Sequence, residues 1–215
     1  MALFITFEGI EGSGKTTQIT RAAEFLRRQG YQVVTTREPG GCPIADAIRE
    51  ILLHPANEAL VDRAELLLYA AARAQHVAEV IQPALQRGHI VLCDRYTDAT
   101  LAYQGYGRGL DLALIEELNE LACADCRPHL TLVLDMPHEV GLQRALQRNA
   151  DENMADEGRF EQESLAFHQR VRNGYLTLAR NDPQRMRVVD ASGSPDQVGE
   201  RLIACLRDFV DQGRP

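Results

Sequence analysis

An α/β domain with a five-stranded parallel sheet and helices on both faces is the fold that these 215 residues predict. Three observations point to it. Short β-rich runs alternate with longer amphipathic stretches, the pattern of strands joined by helical crossovers. The runs are apolar along their length, as in Ile90-Val91-Leu92-Cys93 and Leu132-Val133-Leu134, which suits strands buried on both faces. Several end on an acid, Glu8, Asp94, Asp135 and Asp190, at the edge beyond which such sheets bind ligands.

In chain order, Leu3–Glu8 reads as the first strand, and a helix over about 15–29 follows it. Tyr31–Thr36 is the second strand, with Arg37 at its end and a tight turn forced by Pro39-Gly40-Gly41. Helical stretches at about 44–54 and 59–86 lead to the strand Ile90–Asp94, and one at 111–123 leads to Leu130–Asp135. Helices at 138–148 and 159–181 precede the strand Met186–Asp190, and a last helix covers 195–212. No repeat or low-complexity linker divides the chain, so one domain over 1–215 is expected. Asn149–Gly158 differs from the rest: it is polar, acidic and without apolar periodicity, and Arg144, Arg148 and Arg159 flank it. It reads as a mobile lid, about 144–161, over an active site.

Composition narrows the function. Apolar residues make up 45% and charged residues 25%, ordinary for a globular domain. No apolar run reaches the roughly 20 residues that span a membrane. Met1-Ala2-Leu3-Phe4-Ile5 has no basic leader and runs straight into a strand pattern, so a cytoplasmic enzyme is expected. A net charge of −8 disfavours a polynucleotide partner but not a small phosphorylated substrate held in a basic pocket. Of the 23 basic residues 22 are arginine, and the single lysine is Lys15. Arginine serves wherever generic positive charge is enough; position 15 asks for a compact ammonium on a flexible stem. Five cysteines without framework spacing fit reduced thiols. Cys123-Ala-Asp-Cys126 has no second Cys/His pair after it, so a structural role is expected rather than a zinc site.

The lone lysine sits in Gly9-Ile10-Glu11-Gly12-Ser13-Gly14-Lys15-Thr16, a complete G-x-x-x-x-G-K-[ST] phosphate-binding loop between a strand and a helix. Its glycines let successive N–H groups point inward, and the helix N-terminus adds partial positive charge. Lys15 is placed to reach β- and γ-phosphates, and the Thr16 hydroxyl to ligate Mg²⁺. Asp94-Arg95-Tyr96 ends the third strand, where Asp94 can hold Mg²⁺ or its water and Arg95 can clamp a phosphate. Arg37 ends the second strand. Tyr69 and Arg73, four residues apart on a helix, share a face, so one can stack on a planar ring while the other donates to its edge. The loop alone does not separate a kinase from a GTPase switch or an ATP-driven machine. The base-reading and switch motifs of GTPases, N-K-x-D and D-x-x-G, do not occur at a suitable strand end.

With Phe7–Thr17, Thr36–Gly41, Tyr69–Arg73, Asp94-Arg95-Tyr96, Ala102-Tyr103-Gln104-Gly105 and Arg159-Phe160-Glu161, the chain resembles bacterial thymidylate kinases over nearly its whole length. The resemblance implies transfer from ATP to dTMP with Mg²⁺, by a protein of the P-loop NTPase fold acting as a homodimer through long helices such as 59–86. It implies that Glu11 meets the sugar 3′-hydroxyl region and that Arg95 and Arg37 hold the acceptor phosphate. Tyr69 would stack on thymine, Arg73 would bond a base carbonyl, and Thr100 and Gln104 would face the other base edge. Tyr103 would crowd the 2′ position, and Arg144 would lie against adenine. One family type carries an arginine in the P-loop where this chain has Gly12; the other supplies it from the lid, at the position of Arg148. Lys15, Arg95 and Arg148 are thus the expected catalytic residues. Two features depart from the pattern: the lid after Arg148 is longer and more acidic, and Cys42 stands where threonine is common. A P-loop kinase for another nucleotide or nucleoside, or an ATP-dependent switch without transfer, remains open at this stage.

Overall fold

A computed structural model describes residues 2–151 and 159–211, the side chains of 148–151 excepted. Five strands form one parallel sheet in the order β2-β3-β1-β4-β5: β1 Leu3–Glu8, β2 Val33–Arg37, β3 Ile90–Asp94, β4 Leu130–Asp135 and β5 Met186–Asp190. The helices are α1 Lys15–Arg28, α2 Pro43–Leu53, α3 Asp62–His76, α4 Gln82–Gln86, α5 Thr97–Thr100, α6 Leu112–Cys123, α7 His138–Asp151, α8 Leu165–Asn181 and α9 Pro195–Asp211.

Alternation along β1 divides the interior. Leu3, Ile5 and Phe7 join the main core with Leu26 of α1 and Leu202 of α9. Phe4 faces a second cluster with Val91, Cys93, Tyr96, Cys123 and Cys126. Side chains on successive strand residues point to opposite faces, so a continuous apolar run is what a doubly covered strand requires. Cys123 and Cys126 pack here, and the Tyr96 hydroxyl donates to the Cys126 carbonyl at 2.9 Å. His129 Nδ1 accepts the Phe4 N–H at 2.9 Å. Among the described residues no group of three or more His, Cys, Asp or Glu side chains is placed to hold a metal ion.

The sequence-predicted elements are present with shifts at their ends. The second strand starts two residues later than expected and takes in Arg37, which pairs in register with Asp94 of β3. The expected 59–86 helix is α3 and α4 joined by a wider π-helical segment, Val77–Ile81. That segment precedes Pro83, whose ring would press on the Glu79 carbonyl in a regular α-turn. The expected 159–181 helix begins only at Leu165, capped by the Ser164 hydroxyl. One element has no counterpart in the sequence reading: α5 runs on as a π-helical stretch, Leu101–Gly107. The glycines of Tyr103-Gln104-Gly105-Tyr106-Gly107 hide it from an apolar-period search, yet a tertiary contact needs them. A Cβ on Gly107 would sit 2.7 Å from the Phe167 ring of α8. Among the described helices none is long and apolar enough to cross a membrane.

Candidate active site

The strand order fixes where a ligand can go. β1 lies between β3 and β4, and its loop Gly9–Gly14 opens at the carboxyl edge of the sheet. There it borders a cleft of about 600 Å³. Gly9, Gly12 and Gly14 have φ of 134°, 68° and 88°, values L side chains rarely adopt. Gly14 caps α1 with no side-chain hydrogen bond, so the first N–H groups of that helix are available to an anion. Lys15 Nζ folds back on the loop, donating to the Gly9 carbonyl at 3.1 Å and the Ile10 carbonyl at 2.9 Å. Burial, and then the neighbouring Arg95, push its pKa down to about 8 against the pull of Asp94, Glu11 and Glu8. Thr16 Oγ1 donates to Asp94 Oδ2 at 3.3 Å, so a hydroxyl and a carboxylate stand side by side at the mouth of the loop. Uncapped N–H groups, a buried ammonium held by carbonyls and a hard oxygen pair fit a nucleotide triphosphate and a Mg²⁺ ion.

Across the cleft, Arg95 is held at φ 67°. Its Nη2 donates to Glu11 Oε1 at 3.0 Å and its Nη1 to the Tyr175 hydroxyl at 3.2 Å, and the guanidinium lies 4.7 Å over the Tyr103 ring. The Tyr103 hydroxyl donates to the same Glu11 oxygen at 2.5 Å. Burial works against ionisation of Glu11, but Arg95, with His168, Lys15 and Tyr103, outweighs it and holds the carboxyl well below the usual range. Glu8, fully buried, accepts the Tyr96 N–H at 2.7 Å and the Tyr175 hydroxyl at 2.8 Å. Burial and then Asp98 raise its pKa to about 8, despite Arg95. Glu8 and Tyr175 therefore brace the Tyr96 N–H and the Arg95 guanidinium of the strained Asp94-Arg95-Tyr96 turn.

Further in, Arg73 is 2% exposed. Its Nε donates to Glu38 Oε2 at 2.8 Å, Nη1 to Asn119 Oδ1 at 2.6 Å, and Nη2 to the Tyr96 carbonyl at 3.0 Å and Thr100 Oγ1 at 2.9 Å. Tyr69, Thr100 and Gln104 line the cleft beside it. One end thus suits polyphosphate, and the other offers an aromatic ring and fixed polar groups to a planar base.

A family model described as thymidylate kinase matches residues 7–202. The chain belongs to the thymidylate kinase family. The thymidylate kinase of Syntrophotalea carbinolica is 68% identical over 202 residues, 94% of each chain. That of Geobacter sulfurreducens is 62% identical over 210 residues, 98% of this chain and 99% of the relative. A crystal structure of thymidylate kinase from Ehrlichia chaffeensis superposes with a TM-score of 0.75 at 36% identity, covering 95% of this chain and 98% of that one. The chain is a nucleoside monophosphate kinase of the P-loop NTPase fold, and it phosphorylates dTMP with ATP as phosphate donor.

Against this thymidylate kinase framework the sequence-predicted residues can be located. Glu11, Gly12, Gly14, Lys15, Thr16, Arg37, Tyr69, Arg73, Asp94, Arg95, Thr100, Tyr103, Gln104 and Arg144 all border the cleft. Gly9, Ile10 and Ser13 are buried in the loop behind it. Arg148 is in the helical span of α7, but its side chain lies outside the described residues, as do residues 152–158 of the expected lid. Arg159 does not face the phosphate end. It is buried, with Nη2 on Glu65 Oε2 at 2.5 Å and Nε on the Leu52 carbonyl at 2.5 Å. Sequence reasoning missed Glu38, which holds Arg73 and also His76 Nδ1 at 2.9 Å, and it missed Glu65, Asn119 and Tyr175; Glu8 it named only as a strand-end acid, without this bracing role. Glu38 adjoins the Arg37 that was singled out, and Glu8 precedes the loop; the others lie on ordinary helical faces and carry no local signal.

Proposed function

We propose that the cleft holds Mg-ATP at the P-loop end and dTMP at the Tyr69–Arg73 end, and that it passes the γ-phosphoryl group between them in line. The observation that carries this reading is the convergence of Lys15, Thr16, Asp94 and Arg95 between two unlike half-sites in one cleft. Donor and acceptor are both anionic, so the chain must neutralise repulsion and hold them aligned; the acceptor phosphate is already ionised and needs no strong base. Lys15 exchanges its loop carbonyls for phosphate oxygens. Thr16 and Asp94 hold Mg²⁺, which supplies charge neutralisation when bound. Arg95, with Arg37, positions the acceptor phosphate, and Arg148 supplies the further positive charge from a lid over about 144–161. Glu11 takes the 3′-hydroxyl region, Tyr69 stacks on thymine, Arg73, Thr100 and Gln104 bond its edge, Tyr103 excludes a 2′-hydroxyl, and Arg144 covers adenine.

The chain works as one domain, as a cytoplasmic homodimer. Val61, Leu67, Leu114 and Leu121, exposed around α3 and α6, support pairing through these helices. An acceptor panel of dTMP, dUMP, UMP, CMP and thymidine with Mg-ATP tests the reading. Transfer to dTMP is expected to dominate, and the omission of Mg²⁺ to abolish it. Equal transfer to CMP would refute the assignment of the base site.

A further inference from the structure

A buried carboxylate is costly unless donors hold it, so one that the proposed mechanism leaves idle asks for a role. Glu65, on the first turn of α3, is fully buried. Its Oε2 accepts from Arg159 Nη2 at 2.5 Å and from Arg108 Nη2 at 3.2 Å. Its Oε1 accepts from Gln104 Nε2 at 2.7 Å, with Arg108 Nε at 3.4 Å. A carboxylate held by two guanidinium groups can only accept, so the face of the Gln104 amide turned to it is the N–H₂. The amide is planar, and its oxygen then points the other way. Gln104 borders the cleft, and its hydrogen bond to Glu65 is made through Nε2, not Oε1. What Gln104 can offer a ligand is therefore an acceptor.

Beside it the polarity is reversed. Thr100 Oγ1 accepts from Arg73 Nη2, which leaves its own hydroxyl hydrogen to give, and Arg73 keeps one Nη1 hydrogen beyond the bond to Asn119. The site thus sets donors next to one acceptor. Thymine presents the complement, a C4 carbonyl next to an N3–H. Cytosine presents the reverse, a C4 amino group next to a bare N3. We propose that Glu65 is the positioning residue for base selection: by holding the Gln104 amide in one orientation, it makes the site require an N3–H and reject cytosine. The proposal rests on the reading that Gln104 lies in the base site.

The test compares kcat/KM for dTMP with that for 5-methyl-dCMP, which differs from dTMP only at this edge. Gln104→Leu removes the acceptor and is expected to lower the dTMP preference about tenfold or more. Glu65→Gln leaves the amide free to turn and is expected to lower it by a similar factor, with activity on 5-methyl-dCMP rising rather than merely both activities falling. Glu65→Asp keeps the charge that Arg108 and Arg159 need and withdraws the acceptor from Gln104; it is expected to shift the ratio in the same direction, and it answers the question where Glu65→Gln does not fold. A ratio unchanged by Gln104→Leu would overturn both the base-site reading and the proposal. A ratio that falls with Gln104→Leu but holds in the folded Glu65 variant would overturn the proposal alone.

Discussion

The two ends of the cleft are prepared in opposite ways. At the phosphate end, Lys15 rests on carbonyls of its own loop, and Thr16 meets Asp94 at 3.3 Å, long for a hydroxyl bond. In the proposed reaction a bound nucleotide exchanges these contacts for its own. At the base end, Arg73 is spanned by a carboxylate, an amide, a carbonyl and a hydroxyl, and Glu65 by two guanidinium groups and an amide. Those contacts join mostly buried protein groups to one another. A polyphosphate can be gripped by groups that rearrange, because charge is forgiving of small displacements; a base edge is read by donor and acceptor direction and needs a rigid frame.

The sharpest attempt to break this contrast is Lys15→Ala. Loss of a charge aimed at the transferring group is expected to cost on the order of 3 kcal/mol or more in turnover, roughly 10²–10³-fold. Thermal melting is expected to stay near that of the parent, because Lys15 satisfies nothing but its own loop. A melting shift as large as the activity loss would erase the distinction between the two ends.

Arg73→Ala is the mirror experiment. It strands Glu38, 5% exposed, with the His76 imidazole as its remaining side-chain partner. About 3 kcal/mol of stability should go with it. The apparent affinity for dTMP should fall far more than that for ATP. A stable variant with equal loss for both nucleotides would show that the frame is not built around the base.

Arg148 and Arg159 sharpen the contrast within the lid region. Arg148→Ala is expected to lower kcat by at least about tenfold with little change in the KM for dTMP. Arg159→Ala is expected to affect turnover less and melting more, because Arg159 is tied to Glu65 and the Leu52 carbonyl. Normal turnover in Arg148→Ala with a defect in Arg159→Ala would reverse the two roles.

The smallest expected effect is in pH. Without nucleotide, Lys15 has a pKa near 8, below its unfolded value of 10.5. Its positive charge is present below about pH 8 and lost above it. The KM for ATP should therefore rise several-fold between about pH 7.5 and 9, while kcat at saturating ATP stays flatter, since bound phosphates favour the charged form. The sign for stability is opposite: the unfolded chain binds the extra proton between about 8 and 10.5, so this group adds to stability as pH rises through that window. A flat KM profile would mean that the buried ammonium does not titrate in this range.

The same contrast explains what was legible beforehand. The phosphate end is local. Residues 9–16 and the strand-end Asp94-Arg95 announce themselves by spacing, and the sheet brings them together as any parallel sheet would. The base end is assembled from Glu38 after β2, α3, the π-helical stretch after α5, Asn119 of α6 and Arg159 at the far edge of the expected lid, so some of its members are recognisable while the frame that orients them is not. Glu65 reads as an acid in the first turn of a helix, where it would favour the dipole in any case. Arg159 reads as the flank of a polar loop, and its burial depends on a carboxylate 94 positions earlier in the chain. The 97–107 segment escaped because glycines that serve packing against α8 look, in sequence, like turn residues.

One contact constrains how such an enzyme can be re-engineered. A Cβ on Gly12 would lie 2.0 Å from the Gly141 carbonyl oxygen, and one on Gly141 would lie 2.6 Å from that of Glu11. The P-loop and the root of α7 thus approach backbone to backbone at Gly12 and Gly141, with the Ile10 side chain packed beside them. Transplanting an arginine into position 12 would wedge that joint apart and displace the helix that carries Arg148. If Arg148 supplies the arginine, as proposed, the two sources are not interchangeable parts: adopting one dislodges the other, and a graft would have to carry loop and helix across together.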